Sequence, residues 1–259
     1  MEWFGFRAAA PPARQRLRDW YGGPLGAMLW ETECRQLEAL LPTLFGYHAL
    51  QLGSLGPDRD QGLLRACRIS HRVVLDPEGG GNGCLRASAG ALPIASDSVD
   101  VVVLPHTLEF VADPHQVLRE VSRVLVAEGH VVILGFNPWG PWGWWRLVRA
   151  RTRAMPWCGR FFSQTRIRDW LALLGLDPVV ARGYFFRPPL EYAGLMRRMG
   201  FLERAGGCGW FSVAAGAYVV MARKRVIALT PVRPRWQARR RLVATSLAEP
   251  SARVAKHGG

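Results

Sequence analysis

Short apolar runs alternate along this chain with segments of helical spacing. Six runs rich in Val, Leu, Ile or Phe have the length and the turn-residue flanks of buried strands. They lie at residues 47–52, 71–75, 99–104, 130–135, 178–186 and 211–221. Six other segments repeat apolar residues every three or four positions, as amphipathic helices do. They lie at residues 13–21, 25–41, 58–67, 114–128, 165–174 and 191–204.

The helix predicted at residues 114–128 has the clearest limits. Asp113 is a predicted N-cap, Pro114 takes the first helical position, and Gly129 is a predicted C-terminal cap. From residue 47 onward, strands and helices alternate along the chain. This order favours a mostly parallel sheet covered by helices on both faces. The sequence therefore predicts a doubly wound α/β fold.

Composition is that of an ordinary globular protein. Apolar residues make up 49% of the 259 residues and charged residues 21%. No apolar run reaches the roughly 18 to 20 residues that span a bilayer, and the first residues lack the apolar core of a secretory signal. The five cysteines are scattered without a Cys-x-x-Cys pair, which argues against a disulfide framework and against a zinc site. We therefore expect a cytoplasmic protein without a metal centre.

Positive charge is concentrated near the C-terminus. Residues 223–259 hold ten Lys or Arg and one acid, so they supply nine of the net charge of +14. A basic tail can contact nucleic acid or an anionic membrane, and it can equally be a solvated extension. The sequence predicts a domain boundary at residue 226 and a basic, disordered tail over residues 226–259.

The segment from Ala87 to Asn137 carries the most specific signal. Its characteristic groups are Ala91-Leu92-Pro93-Ile94, Ser98-Val99-Asp100, Leu108-Glu109-Phe110, Asp113-Pro114, Leu118-Arg119-Glu120, Arg123-Val124-Leu125 and Glu128-Gly129. This series resembles the "ALPF…SFD…LEH…DP…LRE…RVL.PGG" segment of the type 11 methyltransferase domain, a group of class I S-adenosylmethionine-dependent methyltransferases. The resemblance covers about residues 40–225. It implies a Rossmann-like sheet of seven strands, mostly parallel, with a reversed last strand.

The resemblance implies S-adenosylmethionine as cofactor, bound at the first strand–turn–helix. Ligands of open α/β sheets bind beyond the carboxyl ends of the strands, where the strand order reverses, and glycines there let the backbone approach the ligand. Relatives have an acid followed by Gly-x-Gly-x-Gly, whereas this chain has Gln51 followed by Gly53-Ser54-Leu55-Gly56. The implied contacts from this segment are Gln51, Gly53, Ser54 and Gly56.

Later strand ends complete the implied cofactor site. Asp76 follows the second strand, where an acid accepts hydrogen bonds from the ribose hydroxyls, although an Asp before a Pro also starts turns. Ser88 stands where relatives have an Asp that faces the adenine amino group. Ala89, through its backbone, and Leu92 are the remaining implied contacts.

His106, after the fourth strand, is the candidate for catalysis. In the family this point faces the transferred methyl group. Because imidazole titrates near neutral pH, His106 is expected to contact the cofactor or to act as a general base; a loop histidine bonded to backbone fits the same pattern. Methyl transfer is an in-line displacement, which needs a positioned nucleophile more than a catalytic side chain.

Four tryptophans, at positions 139, 142, 144 and 145, precede four arginines between positions 146 and 153. A helix of this composition suits a membrane interface, and it suits contact with an aromatic or lipid-like acceptor. It equally suits a hydrophobic lid packed on the sheet, and Trp with Arg also suits nucleic-acid stacking.

We therefore expect an S-adenosylmethionine-dependent methyltransferase that acts on a small or amphiphilic acceptor. The expected partners are that small-molecule or lipid-like acceptor and, through the basic tail, an anionic membrane or nucleic acid. One alternative is a catalytically degenerate methyltransferase fold that acts as a basic binding module. Another is an RNA or protein methyltransferase that docks through its tail. The predicted domains are a helical cap at 1–46, a methyltransferase domain at 47–225 and the tail at 226–259.

Overall fold

The computed structural model describes residues 13–55, 62–76, 84–149, 154–189 and 215–225. The α-helices of this part of the chain are α1 (Ala13–Tyr21), α2 (Pro24–Leu40), α3 (Pro114–Val124), α4 (Pro141–Arg149) and α5 (Gln164–Leu173). Its strands are β1 (His48–Leu52), β2 (His71–Leu75), β3 (Cys84–Leu85), β4 (Val99–Pro105), β5 (Leu125–Phe136), β6 (Leu176–Tyr184) and β7 (Ala217–Lys224). Gly56, the predicted helix at 191–204 and the predicted tail lie outside the described residues.

The described strands form one mixed sheet in the order β3-β2-β1-β4-β5-β7-β6. Six of them have five residues or more, and β3, at the edge, has two. The strands from β3 across to β5 pair in parallel, whereas β7 runs antiparallel to β5 and to β6. The chain passes from β1 outward to β3 and then resumes at β4 on the other side of β1. The strand order therefore reverses between β1 and β4, which is where open α/β sheets bind ligands.

Helices cover both faces of the sheet, as the alternating pattern predicts. In β4, Val101 and Val103 pack into the hydrophobic cluster that includes α1, α2 and α4. Val102 and Leu104 pack into the opposite cluster, which includes α3 and α5. Successive residues of a strand point to opposite faces, so an uninterrupted apolar run is the expected sequence of such a strand. The doubly wound α/β class is confirmed.

The start of α3 is confirmed and its predicted end is wrong. The Asp113 carboxylate accepts hydrogen bonds from the backbone N–H groups of His115 and Gln116, at 2.9 and 3.0 Å. Gly129, however, caps no helix, because α3 ends at Val124 and β5 begins at the next residue. A Cβ at Gly129 would lie 3.1 Å from the Asp100 carbonyl oxygen and 2.9 Å from that of Val126. The glycine is therefore explained by close packing within the sheet.

Two further predictions concern helices. The helix expected at residues 58–67 is wrong over its described part, where residues 62–64 form a single 3-10 turn. The two N-terminal helices are confirmed as α1 and α2. None of the described helices is long and apolar enough to cross a membrane.

Candidate active site

Buried polar side chains gather at the carboxyl ends of β1, β2 and β4. Those ends meet at one edge of the sheet because the three strands are parallel neighbours. Helices α1 and α2 contribute further polar side chains to the same edge. The buried polar residues of this region are Arg14, Glu33, Gln51, Ser54, Asp76, His106, Thr107 and Glu109.

The Asp76 carboxylate organises the turn that follows β1. Its Oδ2 atom accepts hydrogen bonds from the Ser54 backbone N–H at 3.1 Å and from the Ser54 hydroxyl at 2.5 Å. Arg18 of α1 donates to the same oxygen at 2.8 Å. The Asp76 side chain is 1% exposed and that of Arg18 is 12% exposed. The predicted ribose-binding acid is therefore built into the turn and is paired with a cation from outside the sheet.

Arg14, one helical turn before Arg18, lies between the ends of β1 and β4. Its guanidinium donates to the carbonyl oxygens of Leu52 at 2.9 Å, Pro105 at 3.1 Å and His106 at 3.2 Å. Gly53 has a φ of 97°, and a Cβ there would coincide with this guanidinium. The sequence predicts a close approach at Gly53, and in this structure the approaching group is Arg14.

His106 is fully buried between two carboxylates. Its Nε2 atom lies 2.9 Å from Oε1 of Glu33 in α2, and its Nδ1 atom lies 3.2 Å from Oε1 of Glu109. The Phe136 ring lies against the imidazole, with 4.0 Å between the ring centroids. Both ring nitrogens therefore contact side-chain carboxylates. We refer to Glu33, His106 and Glu109 as the imidazole cluster.

Charge within the imidazole cluster holds a proton on His106. Burial by itself lowers the pKa of His106, but the Glu33 charge and the hydrogen bonds to Glu109 and Glu33 outweigh it and raise the pKa to about 9. His106 is therefore an imidazolium at neutral pH.

Two tyrosines complete the surroundings of Glu33. The Tyr21 hydroxyl donates to the Glu33 carboxylate at 3.0 Å, and the Tyr184 hydroxyl lies 3.5 Å from Oε1 of Glu33. Burial, followed by the Glu33 charge, raises the pKa of both tyrosines well above the usual value. Both hydroxyls therefore remain protonated donors, as a buried carboxylate requires.

Two acceptor atoms at this edge have no hydrogen-bond partner among the described residues. They are Oε1 of Gln51 and Oε2 of Glu109, both buried. An unsatisfied buried acceptor costs roughly 1 to 3 kcal/mol, so each is suited to a ligand that brings a donor or a positive charge. S-adenosylmethionine has an ammonium and a sulfonium, positive groups that suit these acceptors. The acceptor set therefore fits this cofactor.

The other predicted cofactor contacts lie in the loop that follows β3. Ser88 is exposed, and its hydroxyl accepts a hydrogen bond from the Gly90 backbone N–H at 3.4 Å. Ala89 and Leu92 are buried in the cluster that includes α3 and α5. The structure thus brings Gln51, Ser54, Asp76 and His106 together as buried polar groups and places Ser88 at the surface.

Part of the family-specific sequence segment holds this loop in place. Glu120 accepts a hydrogen bond from the Leu92 backbone N–H at 2.9 Å. Arg123 pairs with Glu120 at 2.8 Å and donates to the carbonyl oxygens of Leu92 at 3.1 Å and Ile94 at 2.9 Å. These two residues of α3 therefore anchor the loop rather than contribute chemistry.

Sequence reasoning missed Arg14, Arg18 and Glu33. For Glu33 a signal exists, because it follows Leu25 and Leu29 at steps of four and precedes Leu37, which places a charge within the apolar stripe of α2. Such a charge needs a buried partner. Arg14 and Arg18 likewise share a helix face with Leu17 and Tyr21, but that spacing does not identify the carbonyl oxygens and the carboxylate that they meet.

Similarities to known proteins bear on the identity of this fold and site. A family model described as "Methyltransferase domain" matches residues 51–133. The uncharacterized protein YafS of Escherichia coli (strain K12) is 33% identical over 211 residues, which are 82% of each protein. A methyltransferase structure from Thermotoga maritima matches with a TM-score of 0.57 at 17% identity, over 76% of this chain and 89% of that one. One from Archaeoglobus fulgidus matches with a TM-score of 0.53 at 15% identity, over 75% and 94%.

The chain carries a methyltransferase domain over residues 51–133 and has the fold of the class I S-adenosylmethionine-dependent methyltransferases, which implies S-adenosylmethionine as cofactor. It belongs with YafS, to which it is similar over most of its length. None of these comparisons supports the alternative of a degenerate binding module.

Proposed function

We propose that this protein methylates a small or amphiphilic acceptor and that the imidazole cluster takes up the proton that the acceptor loses. The observation that carries the proposal is the position of His106, fully buried between two carboxylates at the end of β4. This end adjoins the point where the strand order reverses, and ligands of open α/β sheets bind there.

The expected reaction is a single displacement. When bound, the cofactor supplies a methyl group on a positively charged sulfur. A bond forms between the acceptor nitrogen or oxygen and the methyl carbon, and the carbon–sulfur bond breaks with its electron pair left on sulfur. The acceptor must then release its N–H or O–H proton, so a nearby base accelerates the step.

Within the imidazole cluster, Glu109 is the group that can accept this proton. The raised pKa of His106, about 9, makes its imidazole a poorer base at neutral pH. Glu109 has an Oε2 atom without a hydrogen-bond partner among the described residues. We assign the base to this atom and assign His106 to holding Glu109 in place, a positioning role.

The cofactor contacts follow from the same edge of the sheet. Asp76 is proposed to receive the ribose hydroxyls, and the free Oε1 of Gln51 to receive the ammonium. Gly53 and Ser54 line the turn between them. Gly56, Ser88, Ala89 and Leu92 remain predictions from the resemblance.

A cavity of about 520 Å³ supports an amphiphilic acceptor. It lies between the α1–α2 turn and α4, and its walls include the apolar residues Trp20, Leu25 and Trp157. Its charged lining residues are Arg16, Asp19 and Arg149. Apolar walls with a few polar groups are typical of small-molecule sites. A second cavity, of about 260 Å³, includes His48 and His71, which begin β1 and β2. Its lining runs along β2 from His71 to Leu75 and includes none of the buried polar residues of the described site.

The test is transfer of a labelled methyl group. The protein is incubated with methyl-labelled S-adenosylmethionine and a bacterial extract divided into water-soluble and organic-soluble fractions. We expect label in one fraction, and we expect Glu109→Gln to slow transfer by about 100-fold or more, since general bases contribute this much. Calorimetry should show unchanged cofactor affinity. Glu31→Gln, at an exposed position of α2, is the matched control. Transfer by Glu109→Gln at the wild-type rate contradicts the assignment.

A further inference from the structure

Four large apolar side chains are exposed at and just before α4. Trp139, Trp144, Leu147 and Val148 are 69%, 70%, 69% and 72% exposed. Nine large apolar side chains of the described residues are exposed, and these four fall within ten positions. Trp144, Leu147 and Val148 follow the spacing of one helix face. We call the four residues the α4 face. Single exposed apolar residues are ordinary, but a contiguous group marks an interaction site.

The helix that carries this face is firmly attached to the domain. Trp142, fully buried, stacks on Phe136 with 5.7 Å between the ring centroids, and its indole N–H donates to the Arg187 carbonyl oxygen at 2.9 Å. A Cβ at Gly143 would coincide with the Pro138 carbonyl oxygen. The α4 face is therefore presented outward by a helix whose other side is packed.

Two arginines of α4, Arg146 and Arg149, accompany the α4 face. In the sequence, residues 129–168 contain seven arginines and no acidic residue. Arg146 is held beside α4 by donating to the Trp157 carbonyl oxygen at 3.2 Å, and its guanidinium lies 5.3 Å from the Phe161 ring centroid. The Arg149 guanidinium lies 5.9 Å from the Trp145 ring centroid. Asp19 is an acidic residue that lines the adjacent cavity.

We propose that the α4 face docks this protein on the surface of an anionic lipid bilayer. Short helices with Trp and Leu on one face and Arg beside it lie in the membrane interface, where the apolar side chains enter the headgroup region and the arginines meet lipid phosphates. A second copy of the chain is a poorer occupant, because it would bring the same arginine-rich segment against itself. The proposal concerns contact with one leaflet and requires no spanning segment.

Docking on a bilayer would also bring the protein to an amphiphilic acceptor. This step rests on the proposed function. Trp145 and Arg149 of α4 also line the cavity of about 520 Å³. An amphiphilic acceptor lying in the bilayer would therefore meet the cavity next to the docked helix. The docking itself is tested without cofactor or acceptor, so its failure is distinguishable from a failure of the proposed function.

Vesicle sedimentation with the full chain tests the surface. We expect binding to phosphatidylglycerol vesicles and at least roughly tenfold weaker binding to phosphatidylcholine vesicles. The triple variant Trp144→Ser, Leu147→Ser, Val148→Ser should lose about tenfold or more in affinity for the anionic vesicles, since it removes most of the inserted apolar area. The control variant Leu173→Ser, Val179→Ser changes two exposed apolar residues elsewhere and should bind as the wild type does.

Brominated phosphatidylglycerol provides a second measurement that does not depend on the triple variant. It should quench part of the tryptophan fluorescence of the wild type, and Trp144→Phe should still bind while losing part of that quenching. Three results would overturn the proposal: no vesicle binding by the wild type, equal binding by the triple variant, or self-association of the wild type without lipid that the triple variant abolishes. The second would locate any docking elsewhere in the chain, and the third would assign the α4 face to a second copy.

Discussion

The two halves of the site hold their buried carboxylates in different ways. At the end of β2, Asp76 is paired with Arg18, whose side chain retains 12% exposure. At the end of β4, Glu33 is paired with His106, and both side chains have no exposure. A guanidinium near solvent can return to water when its partner is taken by a ligand, whereas a buried imidazolium cannot. The first pair is therefore exchangeable and the second is a fixed part of the wall.

This difference suits the Asp76–Arg18 pair and the imidazole cluster to different functional roles. A cofactor that is bound and released in each turnover needs a polar partner that becomes available at modest cost. A group that receives a proton needs a constant position and a constant electrostatic environment. The exchangeable pair suits the first requirement, and the imidazole cluster suits the second.

The largest expected effect is a loss of unfolding free energy when the buried Glu33–His106 pair is broken. Glu33→Ala would leave the His106 imidazolium and two tyrosine hydroxyls without their main partner. Removing one member of a buried ion pair costs about 3 to 5 kcal/mol, and urea unfolding should show a loss of this size. Glu31→Ala, exposed on the same helix, is the control. A loss below about 1 kcal/mol would mean that water enters the imidazole cluster and that the contrast between the two halves is false.

The pH dependence of stability isolates His106. Its pKa rises from 6.5 to about 9 on folding, so its contribution is complete below about pH 6.5 and is lost as the pH rises through about 9. At roughly 1.4 kcal/mol per pKa unit, the loss is on the order of 3 kcal/mol. Unfolding measured at about pH 6 and about pH 9.5 should show this loss in the wild type and not in His106→Gln.

A control for this pH dependence is His115→Gln, which changes an exposed histidine and should keep the wild-type slope. If His106→Gln fails to fold, Glu33→Gln replaces it, because it removes the charge that raises the pKa of His106. A wild-type stability that stays constant between these pH values would contradict the protonated state assigned to His106.

Local pattern predicted much of the fold because its determinants are local. Each central strand is an apolar run, and the start of α3 follows from Asp113 and Pro114. The sequence also pointed to the end of β4 and to Asp76 as places where polar groups gather. The most specific segment, by contrast, turned out to be partly structural, since Glu120 and Arg123 hold the loop at Leu92.

The site residues that the sequence did not predict depend on contacts between distant parts of the chain. Arg14 meets the carbonyl oxygen of Pro105, and Glu33 meets His106, across 91 and 73 positions of sequence. Periodicity shows which residues share a helix face, but not which strand end that face covers. The prediction that Gly129 caps a helix was wrong for a related reason. A glycine required by close packing in the sheet cannot be distinguished in sequence from a glycine that caps a helix.

A smaller effect, on cofactor affinity, is expected when the exchangeable Asp76–Arg18 pair is broken. Asp76→Ala should weaken S-adenosylmethionine binding by about 1 to 3 kcal/mol, the range for losing hydrogen bonds to a charged group. The fold should survive more readily than in Glu33→Ala, because Arg18 can become hydrated. Calorimetry on Asp76→Ala and on the exposed control Asp177→Ala, followed by urea unfolding, measures both quantities. An unchanged affinity would assign the ribose to another residue.

Removing the cation rather than the acid should act in the opposite direction. Oδ2 of Asp76 accepts from Arg18 and from two groups of Ser54, so a ribose hydroxyl must compete with Arg18. Arg18→Ala should therefore raise cofactor affinity, by about 1 kcal/mol or a factor of about five. Arg35→Ala, exposed on α2, is the control. A weaker affinity in Arg18→Ala would show that Arg18 contacts the cofactor itself, and the pair would then be part of the bound site.

The smallest effect on the site is expected from removing residues 226–259. Lys224 ends β7 and is tied to the sheet by bonds to Asp97 and to the Leu125 carbonyl oxygen, both at 2.7 Å, so a chain ending at Arg225 retains these contacts. Residues 230–259 contain three prolines, an Arg-Arg-Arg run and few apolar residues, a composition that does not form a packed core.

We expect the cofactor affinity and the melting temperature of this shortened chain to remain those of the full chain. Binding to anionic vesicles should become less salt-sensitive, because the exposed charges of residues 226–259 are screened by salt, and should keep the part that depends on the α4 face and its arginines. Circular dichroism, calorimetry and vesicle sedimentation at low and high salt measure these outcomes. Unfolding of the shortened chain would move the domain boundary beyond residue 226.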